Sequence, residues 1–139
     1  LAPEHKNTAL GLTTAAGLSS WLCLRARVEP RVGGAYELFW NPDETRPESD
    51  STLGCRILSI DRPRLLAFTW RGADAVAGVM NAEGVTPTEV VVELLPRPTG
   101  TRLRMTHSGW GDGADWDKAR AWFDRAWRGA LATLAEVAT

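Results

Sequence analysis

One stretch constrains this chain more than any other: the run Thr-Arg-Leu-Arg-Met-Thr-His-Ser-Gly-Trp-Gly at 101–111, followed at once by a long two-sided helical pattern. In the run, Leu103, Met105 and His107 alternate with Arg102, Arg104 and Thr106, so one face of a strand is apolar and ends in a histidine. Beyond it, Trp116, Ala119, Phe123, Trp127, Ala130, Leu131, Leu134 and Val137 recur at three- and four-residue spacing, with Asp115 as the expected N-cap. Asp117, Lys118, Arg125, Arg128 and Glu136 fall on the other side. A helix of this kind draws its stability from burying its stripe against a sheet. Arg120 is read near the middle of the stripe, its head reaching Asp117 or Asp124 or lending charge to a pocket beneath, and Trp122 at its edge.

Upstream, residues 3–22 read as an interrupted helix: Pro3 suits a first turn, Gly11 and Gly17 break it, and Leu10, Leu12, Leu18, Trp21 and Leu22 make an apolar face. A meander follows. Alternation predicts strands over 24–29, 35–40, 53–60, 65–70 and 88–95. Tyr36, Leu38 and Trp40 share one face, as do Leu66, Phe68 and Trp70, and Val90, Val92 and Leu94 point inward. Glu89 and Glu93 are expected opposite Arg102 and Arg104 on the solvent face. The acidic 41–50 segment reads as a solvated loop, and the glycine- and alanine-rich 71–87 segment as a loop long enough to gate an opening. No repeat or boundary divides the chain, so residues 1–139 are read as one domain.

Composition excludes several functions. Sixteen basic and seventeen acidic residues leave the chain nearly neutral, with no basic stripe for nucleic acid. No apolar run approaches the length of a membrane span, and no secretion signal is visible, so the expected location is cytoplasmic. Cys23 and Cys55 read as two buried thiols, and with only His5 and His107 beside them no metal spacing arises. No phosphate loop, nucleophile elbow or other cofactor motif occurs, so neither metal nor cofactor is expected. Seven tryptophans in 139 residues stand out: such side chains either fill cores or wall apolar cavities.

Four runs then carry a resemblance. Trp-Leu-Cys at 21–23, Val-Gly-Gly-Ala-Tyr-Glu-Leu at 32–38, Ile-Leu-Ser-Ile-Asp-Arg-Pro-Arg-Leu-Leu-Ala-Phe-Thr-Trp at 57–70 and Thr-Arg-Leu-Arg-Met-Thr-His-Ser-Gly-Trp at 101–110 resemble, in order, the bacterial proteins named after the activator of the ninety-kilodalton heat-shock chaperone's ATPase. These belong to the START-like, or SRPBCC, superfamily. The resemblance covers the chain from about residue 8 and implies an α+β helix-grip fold of the birch-pollen-allergen type. Its parts are a curved antiparallel sheet around the long C-terminal helix, short N-terminal helices, and a cavity between. The family begins with a strand and a helix bearing valine and tryptophan before an Ala-Leu-Thr; here that strand is missing or truncated, and Thr8 and Ala9 stand in those places.

The cavity so implied favours a small-molecule binding protein taking a hydrophobic or amphipathic ligand. Its expected walls are Trp40, Phe68, Trp70, Met105, Trp110, Phe123 and Trp127, with His107 and Arg120 as polar contacts preferring an acid. The alternatives are a cyclase- or hydrolase-like enzyme with His107 as general base, and a co-chaperone-type interaction with the heat-shock ATPase. Trp122 serves a homodimer contact as readily as the helix rim.

Overall fold

The computed structural model describes residues 11–138, so Pro3, Leu10 and the substituted Thr8 and Ala9 lie outside the described residues. After a helical turn at 11–13, Thr14 caps helix α1 (Ala15–Ser19), its hydroxyl accepting the Gly17 N–H at 2.9 Å. Strands β1 (Arg25–Val28) and β2 (Tyr36–Phe39) form one antiparallel pair. Strands β3 (Ile57–Asp61), β4 (Leu65–Trp70), β5 (Thr88–Arg97) and β6 (Gly100–Ser108) form an antiparallel meander in that order. Bridges from Ala35 to Arg56 and from Phe39 to Ser51 join the two into a curved surface. Helix α3 (Ala114–Ala138) packs across it, and a shorter helix α2 (Ala77–Met80) precedes β5. Among the described residues β1 and β6 are the edges; the strand that the resemblance places first is not one of the described elements.

The alternation read from sequence holds where it matters. Thr88, Val90, Val92 and Leu94 of β5 are buried, as are Leu66, Phe68 and Trp70 of β4, because every second side chain of a strand meets the same neighbours. On α3 the buried line is Ala119, Phe123 and Leu134, with Trp116, Trp127, Ala130 and Leu131 half-covered beside it. The Val137 side chain lies outside the described residues. Both cysteines are buried free thiols, each pushed up to about 11 by that burial.

The Val-Gly-Gly-Ala turn has a visible cause. Gly33 sits at φ +79°, and a Cβ on Gly34 would overlap the Glu29 carbonyl oxygen. The Glu29 carboxylate accepts the Ala35 N–H at 2.9 Å, which closes the turn and sets the β1–β2 register. In β2, Glu37 is buried, its carboxylate taking the Gly54 N–H at 2.8 Å and Arg27 Nη1 at 3.4 Å.

Four expectations are corrected. Helix α3 begins at Ala114, with Asp117 N–H bonded to the Gly113 carbonyl, so Asp115 is in the first turn, favourably placed in the helix field, and not the cap. Only one of the two charge pairs forms: Arg104 meets Glu93 at 2.8 Å, whereas Glu89 faces Ser108 and Arg102 faces Leu95, because the tight 97–100 turn sets the register. Residues 53–56 precede β3 as a turn and bridge, not as strand. The 71–87 segment is folded: it holds a 3-10 turn at Asp74–Val76 and α2, buries Met80, and is cross-tied by the Asn81 amide to both N–H and C=O of Gly72 at 2.8 Å.

Leu134 is 3% exposed and its Cδ1 packs against Gly11, so Leu134→Ala is expected to lower unfolding free energy by roughly 2 to 5 kcal/mol, read by urea denaturation. Gly34→Ala should destabilise the chain by disrupting the 29–35 turn, whereas alanine should be tolerated at Gly78, where an added Cβ would meet no neighbour among the described residues within 4 Å outside its own helix turn.

Candidate functional site

Two clefts flank α3, separated by Phe123 and Trp127, which line both. The first, about 590 Å³, lies between α3, the end of β4 and the segments around 50 and 73. Five of the seven tryptophans wall it: Trp21, Trp40, Trp70, Trp122 and Trp127. Trp70 is hemmed by Trp127 at 5.0 Å, Phe68 at 5.6 Å and Trp40 at 6.0 Å between ring centres. Trp21 and Trp40 are fixed through their indole N–H groups, which donate at 2.7 Å to the carbonyls of Gly11 and Leu22. At the rim, Asp50 and Asp74 clasp one another: each backbone N–H donates to the other's carboxylate, at 3.0 and 2.8 Å, and the Ser49 hydroxyl also donates to Asp74. These bonds, the Ser49 hydroxyl first, hold the Asp74 carboxyl below its usual range and keep it ionised. Arg71 borders the same cleft with Nη1 on the Leu53 carbonyl at 3.1 Å.

The second cleft, about 540 Å³, lies on the β6 side and is lined by Met105, His107, Trp110 and the α3 flank bearing Asp117, Arg120 and Asp124. Arg120 is exposed there and not on the buried line. The physical reason is phase: the line runs through Ala119 and Phe123, and one further residue turns a side chain by about a hundred degrees. Arg120 has no ion pair within 4 Å among the described residues, while Asp124 pairs with Arg128 at 3.1 Å.

His107 lines the second cleft, and both of its ring nitrogens are hydrogen-bonded. The Trp127 indole N–H donates to its Nδ1 at 3.1 Å, so Nδ1 must be the bare nitrogen. The proton therefore sits on Nε2, which donates to the Thr88 hydroxyl at 2.7 Å, and that hydroxyl donates onward to the Trp70 carbonyl at 3.2 Å; this tautomer is assigned from the network. The Trp110 ring lies tilted against the imidazole, 4.2 Å between ring centres, and its indole N–H donates to the His107 carbonyl. Burial pulls the imidazole down to about 4 from its ordinary 6.5, so it is neutral at neutral pH. Neither ring nitrogen is left for a substrate.

Of the residues expected around one cavity, the structure brings Trp40, Trp70, Phe123 and Trp127 to the first cleft and Met105, His107, Trp110 and Arg120 to the second. Phe68 borders neither; it stacks on Tyr36 at 4.1 Å in the core. The first cleft adds Trp21, Trp122, Arg71, Asp50 and Asp74. Trp21 lay inside a recognisable motif and Trp122 at the stripe edge, but no sequence signal pointed to the other three. Among the described residues, no group of three metal-ligating side chains comes together.

A curved antiparallel sheet gripping one long C-terminal helix places this chain in the START-like helix-grip class. The family profile of the Activator of Hsp90 ATPase homolog 1-like protein matches residues 11–139, and the chain belongs to that family. A search of curated proteins finds no match. Among solved structures, one from Mesorhizobium loti is similar at 25% identity and TM-score 0.72, over 97% of this chain and 88% of that one. One from Nitrosomonas europaea gives 19% and 0.67 over 99% and 87%. The Aha1 dimer from Colwellia psychrerythraea gives 20% and 0.68 over 96% and 85%.

The imidazole makes stability pH-dependent with a definite sign. Above pH 6.5 His107 is neutral whether the chain is folded or not; below it the unfolded chain takes up a proton that the folded chain refuses until about pH 4. Stability attributable to this group therefore falls as pH drops from 6.5 towards 4, by on the order of 3 kcal/mol. Denaturation at stepped pH should show that slope, and His107→Gln should flatten it.

Proposed function

We propose that this chain binds a hydrophobic or amphipathic small molecule in the first cleft, between the sheet and α3. The observation that carries this reading is a cleft of about 590 Å³ walled by five tryptophans, a size suited to a compact organic ligand. Flat indoles around a gap offer large apolar contact at little cost in side-chain freedom, and the two rim aspartates keep the mouth wetted. The second cleft supports the reading less, because its lining is more polar and more open to water. The enzyme alternative asks His107 to act as a general base, and both of its nitrogens are committed to Trp127 and Thr88.

Two coarser features extend the proposal. No helix of the described residues is long and apolar enough to cross a membrane. The two buried free thiols suit a reducing compartment, and we place the protein in the cytoplasm. The Colwellia relative is described as a dimer, and a homodimer is the assembly proposed here.

An apolar fluorescent probe should bind with a change in tryptophan emission and be displaced by small aromatic ligands. Ala126 lines the cleft from an exposed position on α3, so Ala126→Trp should fill the space and weaken binding by tenfold or more, with little change in Tm. Probe binding unaffected by this variant would place the ligand elsewhere.

A further inference from the structure

On the flank of α3 that borders the second cleft, Asp117, Arg120, Asp124 and Arg128 form an exposed row at spacings of three and four residues, with the small, exposed Ala121 among them. The signs alternate along the row, so a second copy of it laid antiparallel sets acid against base at every place. The midpoint of Asp117 and Arg128 falls between residues 122 and 123, and that of Arg120 and Asp124 falls at 122. At about 1.5 Å of rise per residue, a single twofold axis therefore serves both pairings to within about 1 Å. Within one chain the row is only half used. Asp124 pairs with Arg128 at 3.1 Å, whereas among the described residues neither Asp117 nor Arg120 has an ion-pair partner within 4 Å.

Exposed ion pairs add little affinity by themselves; they fix register and reject wrong partners, while apolar contact supplies most of the binding. An apolar floor lies beside the row, where Met105, Trp110 and Leu131 line the second cleft and are only half-buried. Among the described residues β6 is an edge of the sheet, so no further strand stands beyond it on that side. Resting on the homodimer reading above, we infer that this flank of α3, with the floor of the second cleft, is the contact surface for a second copy of the chain. The two α3 helices run antiparallel across a twofold axis near residue 122, with Arg120 set against Asp124 of the partner subunit and Asp117 against Arg128 of the partner subunit. The first cleft stays open in such a dimer, because Trp122, Ala126, Gly129 and Thr133 border it from the opposite flank of the helix.

The test measures dimer dissociation constants of the full chain by analytical ultracentrifugation, for the unmodified protein, for Arg120→Asp and Asp124→Arg each alone, and for the two variants mixed. Both positions are exposed, so both variants should fold, which circular dichroism checks. Each variant alone sets like charges together twice across the axis and should raise the dissociation constant about tenfold or more. In the mixture the acids of one chain face the bases of the other, and a heterodimer should form with a constant within about threefold of the unmodified protein's. Changes inside one helix, the lost Asp124–Arg128 pair included, are the same in the mixture as in each variant alone, so they cannot produce this rescue. A dimer whose constant neither variant alters, or a weakening that mixing does not relieve, overturns this contact while the homodimer reading stands. A chain that stays monomeric up to about 100 µM ends both and leaves the face to another occupant.

Discussion

The fold turns on one directed line of hydrogen bonds. It runs from the Trp127 indole on α3 through the His107 imidazole on β6 and the Thr88 hydroxyl on β5 to the Trp70 carbonyl on β4. Four elements are thereby tied at one level, and each donor in the line has one acceptor. The line works only with a neutral imidazole, because a charged one would bring a second donor to the Trp127 N–H. Burial supplies that condition by disfavouring the proton.

The same line divides the space beneath the helix. With Trp127 drawn to His107 and Phe123 beside it, α3 presents a wall of aromatic rings rather than a single hollow. On one side tryptophans dominate; on the other, charged helix residues do. His107, expected as a polar contact, borders the second cleft with both ring nitrogens bonded to Trp127 and Thr88.

Comparison with solved structures bears on fold more than on ligand. The structures from Nitrosomonas europaea and Colwellia psychrerythraea share about a fifth of their residues with this chain, enough to show the architecture and too little to transfer a pocket. What fits a helix-grip cleft depends on a handful of side chains at its walls, and sheet and helix tolerate wide change at those positions so long as the alternation survives.

What the sequence determined by itself was periodic. Two-residue alternation in Val90-Val92-Leu94 and Leu66-Phe68-Trp70, the helical recurrence of Ala119, Phe123 and Leu134, and the Gly-Gly turn at 33–34 each follow from backbone geometry acting over a few neighbours. Only the tertiary structure decided the rest. Arg120 fell outside the buried line because a helix's phase is fixed by what it packs on, not by its own sequence. Glu89 missed Arg102 because register comes from the turn. The Asp50–Asp74 clasp and the Glu37 carboxylate under Gly54 join segments distant in the chain. Hydrogen bonds of that range leave no period to read, since they depend on where the folded chain brings each atom in space.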